Sequence, residues 1–229
     1  MSGKEDDNGL LNYLGQFISD HKKSVMERVL AKRTRFIIVV LEDIFKPHNA
    51  SAVLRTCDCF GVQDIHVIEK INPCKVNPFV TMGASQWVDL HKYDQKNGSS
   101  VQACFQSLRN KGYKIYGTSV DSKSISLQEL EPSEKIALVF GNEHKGISEE
   151  VKSNCDGLVH IPMLGFTDSF NISVAASILL YDLIRKSDKY QHPEFHLSEE
   201  EKQELRLKWY RSVVKNSDLH EKVYQKTMK

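Results

Sequence analysis

Phe36-Ile37-Ile38-Val39-Val40-Leu41 is an unbroken apolar run, rich in β-branched residues. A strand with one wet face alternates apolar and polar side chains. A run apolar at every position marks a strand covered on both faces, as in a parallel sheet. Working outward, similar runs stand at Ile65–Glu69, Lys114–Thr118, Ile136–Phe140 and Leu158–Ile161. Helical stretches are expected between them, over about Asn49–Phe60, Pro78–Gly83, Val101–Lys111 and Ser148–Asn154, with a turn or two near Leu127–Leu130. A long apolar helix, Asn171–Arg185, should follow the last run. Strand and helix in alternation predict an α/β fold with a mostly parallel sheet.

Before the first strand, Leu10, Leu11, Leu14, Phe17, Ile18, Val25 and Val29 recur mostly at three- and four-residue steps, as on one or two amphipathic helices. After it all, Ser198 with Glu201 three residues on is a capping-box signature for a helix to about Val214. The polar segment 186–196 between them reads as a linker.

Composition narrows the function classes. The chain has 229 residues, 40% hydrophobic and 27% charged, with net charge +1. A nucleic-acid partner would therefore need the basic residues gathered on one face. No apolar run approaches the roughly 20 residues that span a bilayer, so no membrane role is expected. The acidic start, Met1–Asn8, is unlike a secretory leader. Five scattered cysteines, 57, 59, 74, 104 and 155, lack zinc-ligand spacing, so no metal is expected and reduced thiols in the cytoplasm are.

Three segments carry candidate chemistry. His48-Asn49 through Arg55-Thr56 opens a helix after the first strand, with Asn49 at an expected N-cap. Taken alone, it reads equally as a cap followed by a solvated arginine. Phe140-Gly141-Asn142-Glu143-His144-Lys145-Gly146-Ile147-Ser148 places two glycines around a charged loop at a strand end, where open α/β sheets bind ligands. A turn needing positive φ would explain the glycines as well. Ile161-Pro162-Met163 through Ser169-Phe170-Asn171 runs from strand to loop to a helix of small residues, which tight packing would also require. No G-x-G-x-x-G follows any strand, so a nucleotide-like ligand would be held by other loops.

Together the three segments resemble motifs of the SPOUT superfamily of RNA 2'-O-ribose methyltransferases, in its TrmH-type branch. N-x-x-A-x-x-R-T-x-x-x-x-G-V is matched by Asn49–Val62, F-G-x-E-x-x-G-[IL]-S by Phe140–Ser148, and I-P-M-x-G-x-x-x-S-L-N-V-S-V-A by Ile161–Ala175. Phe170 and Ile172 replace leucine and valine, and both keep an apolar side chain. The likeness covers roughly residues 28–186.

The resemblance implies an α/β-knot fold, with helices on both faces of the sheet, a C-terminal deep trefoil knot and helical extensions. It divides the chain into an N-terminal basic extension (1–34), a methyltransferase domain (35–186) and a C-terminal extension (187–229). It also implies a homodimer, S-adenosylmethionine as cofactor, and methylation of a guanosine ribose 2'-hydroxyl in tRNA, at guanosine 18 of the D-loop. Ribosomal RNA as substrate, or a non-catalytic RNA-binding homologue, are the alternatives.

By position, Thr118, Gly141, Ile161 and Phe170 would contact the cofactor. Asn49 and Glu143 would shape the site and interface, and Ser169 and Asn171 would position cofactor and ribose. Proton removal falls to Arg55. A free guanidinium, with a pKa near about 13, is a poor base. A role as phosphate clamp and alkoxide stabiliser suits Arg55 better, with the proton leaving through phosphate, water or a transiently neutral Arg55. His48 is a second candidate base, and His144 is expected at the surface. For RNA, the expected contacts are Lys32, Arg33 and Arg35 before the first strand and Arg206, Lys208 and Arg211 on the C-terminal helix. Trp209 and Tyr210 are expected to pack rather than stack a base.

Overall fold

The structure is a computed structural model that describes residues 2–227. Two compact units divide the chain: Thr34–Phe195 form one, and the residues up to Arg33 together with those from His196 form the other.

The larger unit is built on a parallel sheet of seven strands: β1 (Ile37–Glu42), β2 (Asp64–Ile68), β3 (Asp89–Tyr93), β4 (Lys114–Thr118), β5 (Ile125–Ser126), β6 (Ile136–Phe140) and β7 (Gly157–His160). Their order is β3-β2-β1-β6-β4-β7-β5. All six pairings are parallel.

The apolar run works as its composition requires. Ile37, Val39 and Leu41 enter the core on one face, and Ile38 and Val40 enter the core on the other. Strand side chains alternate between faces, so a run with no polar position can only sit between two layers. One face is covered by α3 (Pro47–Cys59) and α7 (Ile172–Tyr190), the other by α5 (Ser100–Asn110) and α6 (Glu149–Asn154). The short α4 (Pro78–Thr81) lies against α3.

Three local expectations change. Helix α3 begins at Pro47, with Lys46 as N-cap and no side-chain cap bond. Proline suits the first helical position, where a missing N–H costs nothing, so Asn49 lies inside the helix rather than capping it. Helix α7 runs on to Tyr190, through the start of the segment read as a linker. Strand β3 carries no apolar run because it is an edge strand: Asp89, His91 and Lys92 give it the polar character that protects an open edge.

The smaller unit contains α1 (Ser2–Gly15), α2 (Asp20–Leu30), α8 (Glu199–Val213) and α9 (Ser217–Thr227). The capping box at Ser198 and Glu201 is present, with both reciprocal bonds made. Trp209 and Tyr210 are buried, as expected of packing residues. Helix α9 was not expected. Asn216, at φ 56°, turns the chain just before it, and Tyr224 returns to pack its ring 5.5 Å from Tyr13.

Candidate active site

At the carboxyl ends of β4, β6 and β7 a cavity of about 610 Å³ opens. Open α/β sheets place ligand sites there, where strand ends diverge into loops. All three motif segments reach it, through Asn49, the 140–147 loop and residues 161 and 168–172.

The 142–146 loop is narrow. The Asn142 N–H donates to the Gly146 carbonyl at 3.0 Å, and the Gly146 N–H returns the bond at 2.8 Å. A Cβ on Gly141 would lie 2.1 Å from the Gly146 carbonyl carbon, so no other residue fits there. Gly146 itself adopts φ 67°, a conformation that favours glycine.

Glu143 ties the loop to α3. Its carboxylate accepts from the Asn49 amide at 2.7 Å and from the backbone N–H of Phe45 and Lys46 at 3.0 and 3.2 Å. Burial pushes the Glu143 carboxyl up. The bonds from Asn49 and from backbone N–H groups outweigh burial and hold it below the usual carboxylate range. Asn49 uses its amide oxygen as well, accepting from Asn171 at 3.3 Å. Asn171 in turn accepts from the N–H of Ser173 at 2.9 Å, holding the first turn of α7. One polar chain thus joins three segments widely spaced in sequence.

Behind this chain lies a second network. The buried Glu42 at the end of β1 accepts from Lys70 at 2.8 Å and from the Ser148 N–H at 2.8 Å. Burial alone would lower the Lys70 ammonium, but its bonds to Glu42 and Glu150 raise it above the usual value. These pairs fix the segment after β2 and the start of α6 against the end of β1.

The four expected cofactor residues, Thr118, Gly141, Ile161 and Phe170, line the cavity together with Asn49, Glu143, Ser169 and Asn171. Arg55 does not. It is exposed on α3 and lines a separate depression of about 470 Å³ with His48, Phe79 and Ser173. His144 is exposed, as expected, and reaches the cavity mouth. Sequence reasoning missed Lys46, His160 and Asp168, which also line the cavity. Asp168 had a usable signal, its place inside the third motif segment, and Lys46 a weaker one, three positions before Asn49.

Among the expected RNA contacts, Arg33 is enclosed and Arg35, Arg206 and Arg211 are held in ion pairs. Arg33 is 1% exposed, its guanidinium over the Trp209 ring at 5.4 Å. A charge enclosed on an aromatic face is a packing element, not a surface contact. Arg35 spans Asp64 at 3.1 Å and Asp89 at 3.0 Å. These carboxylates begin β2 and β3, at the edge of the sheet opposite the cavity. Arg206 forks onto Glu27, and Arg211 is bound to Glu221 at 2.7 Å. Lys32 and Lys208 remain exposed.

A cavity built by three loops at the strand ends of a parallel α/β sheet is the usual place for a small-molecule site in this class of fold. Residues 36–181 match the family model described as the SpoU rRNA Methylase family, and the chain belongs to that family. It is 46% identical over 206 residues to a tRNA (guanosine(18)-2'-O)-methyltransferase of Borreliella burgdorferi, covering 90% of this chain and 92% of the relative. The enzyme of the same name from Aquifex aeolicus is 34% identical, covering 83% of this chain and 89% of the relative. A crystal structure of the A. aeolicus TrmH/SpoU tRNA modifying enzyme superimposes with TM-score 0.73 at 33% identity, covering 84% of this chain and 98% of that one.

Proposed function

We infer that this chain transfers a methyl group from S-adenosylmethionine to the ribose 2'-hydroxyl of guanosine 18 in tRNA. The observation that carries the reading is the polar chain Glu143–Asn49–Asn171, which gathers the three motif segments at one cavity. The near-full-length likeness to a relative bearing that activity agrees with it.

The cavity suits the cofactor chemically. Phe140, Ile147 and Ile172 provide an apolar lining for a purine, and Lys46, Glu143 and Asp168 provide charge for an amino-acid end. Thr118, Gly141, Ile161 and Phe170 would hold it. The cofactor supplies an electrophilic methyl on a sulfonium. The protein must bring the hydroxyl oxygen in line and accept its proton. Asn171 and Ser169 would orient the ribose. Arg55 would clamp a phosphate and stabilise the developing alkoxide.

Arg55 lies outside the cavity lining of its own chain, which supports a homodimer in which one copy's Arg55 serves its partner's cavity. The exposed ring of Tyr181 on α7 fits such an interface. The trefoil knot belongs to the same reading. Thr118 and Ile125 both pair level with Val159, from opposite sides, so residues 119–124 bridge over β7 where the chain leaves the sheet. A cytoplasmic setting, where tRNA is found, completes it.

The test is methyl transfer from labelled cofactor to unmodified tRNA transcript. The guanosine 18 transcript should be methylated, and a transcript with 2'-deoxyguanosine at that position should not. Transfer to ribosomal RNA fragments alone would favour the alternative substrate.

A further inference from the structure

We propose that Phe79 is a stacking platform for a base of the substrate RNA, at the nucleotide whose phosphate Arg55 holds. The inference rests on the reading of this chain as an RNA methyltransferase and adds a residue that none of the three motifs contains.

Phe79 is 90% exposed. A lone exposed apolar side chain needs no explanation, but this one is held out by a fixed backbone. Asn77 caps α4 by accepting from the Phe79 N–H at 3.0 Å. The Asn77 N–H donates to Ser51 Oγ on α3 at 2.8 Å, and that hydroxyl donates to the Pro47 carbonyl at 2.7 Å. Two positions beyond, Thr81 is buried. The ring is therefore presented from an anchored turn, with little backbone entropy left to lose on binding.

Its neighbours decide what it is presented to. Phe79 lines the same depression as Arg55 and His48, with the hydroxyl-bearing Ser173 and Ser177 on the α7 side. A planar cation for phosphate beside a flat ring for a base is the chemistry of a nucleotide site. The volume, about 470 Å³, lies in the range of small-molecule sites. Charge selects RNA over an apolar partner: Arg55 projects from α3 into the depression and would be buried without a counter-charge by a purely apolar surface.

The experiment uses the full chain, unmodified tRNA transcript and labelled methyl donor. Phe79→Ala should lower kcat/KM for tRNA by roughly ten- to a hundredfold, the range of one lost base–aromatic stack. Cofactor affinity, melting temperature and sedimentation should stay unchanged. Phe79→Trp should restore activity, and Phe79→Leu, apolar but not flat, should stay impaired. Wild-type kinetics in the alanine or leucine variant would overturn the proposal. So would a changed oligomeric state in Phe79→Ala, which would make the ring part of a contact between copies. Absence of methyl transfer by the unaltered protein would remove the underlying reading instead.

Discussion

Asn49 donates its side-chain amide to Glu143 at 2.7 Å, across 94 residues of chain. That bond joins the first turn of α3 to the glycine-bracketed loop, and both reach the cavity. Replacing Asn49 by alanine leaves the Glu143 carboxylate one donor short. A hydrogen bond to a charged group contributes about 1.5–3 kcal/mol, so Asn49→Ala should lower the melting temperature measurably and weaken cofactor binding. Calorimetry with the cofactor checks the second effect; unchanged affinity would show that the loop holds its shape without α3.

The same carboxyl has a pH signature. Its folded-state value is depressed, so its contribution to stability is present above the unfolded value, near 4.5, and is lost as pH falls through the folded one. Thermal unfolding of Glu143→Gln, compared with the unaltered protein from about pH 6 down to about pH 3, should show a flatter acid limb. Identical limbs would mean that Glu143 titrates as an ordinary carboxyl.

His66 has the opposite origin. It is 1% exposed in β2, and burial, with the neighbouring His91, lowers its pKa from 6.5 to about 4. Its ring stacks on His91 at 4.5 Å and its Nδ1 lies 2.9 Å from the Tyr93 hydroxyl. Arg35 and Asp64 lie in the same cluster, and Asp64 partly opposes the shift. The unfolded chain takes up this proton first, so stability falls as pH drops from 6.5 to about 4 and then levels off. His66→Gln should flatten that window, by on the order of a few kcal/mol. Urea titrations across it measure the difference.

Arg55→Ala should abolish methylation while cofactor binding persists, since Arg55 does not line the cavity of its own chain. Arg55→Lys should also fall far below the unaltered enzyme, because an ammonium lacks the planar fork. Near-normal turnover in the lysine variant would mean that a point charge suffices. Mixing Arg55→Ala protein with a variant disabled in the cavity, such as Asn171→Ala, should restore partial activity if the two act across a dimer.

Within the basic segment before the first strand, RNA affinity is better sought in the exposed cations than in Arg33 and Arg35. Lys22, Arg28 and Lys32 are all exposed on or just after α2. Replacing them together should weaken tRNA binding and reduce the salt slope by roughly one unit per lost phosphate contact. Arg33→Ala should instead act through stability, by about 2 kcal/mol from the lost contact with Trp209. A salt slope unchanged in the triple variant would place the RNA path elsewhere.

Much of the fold was legible because its signals are local. Strands β4 and β6 begin and end where their apolar runs do, and the Ser198 capping box forms as its spacing requires. Burial on both faces favours an apolar side chain at most positions, and a cap needs only a side chain three positions from an N–H. The motif loops were legible too, since Gly141 stands where no Cβ fits. What the tertiary structure alone decided is the partner of each polar side chain. Asn49 looked like a cap and became a clamp on Glu143. Arg35 looked like a phosphate ligand and became a tie between Asp64 and Asp89, 29 and 54 positions away. Arg33 looked like an RNA contact and is enclosed against Trp209. A long polar side chain has many partners of equal chemistry along the chain, and only strand order, register and helix packing bring one within 3 Å or so.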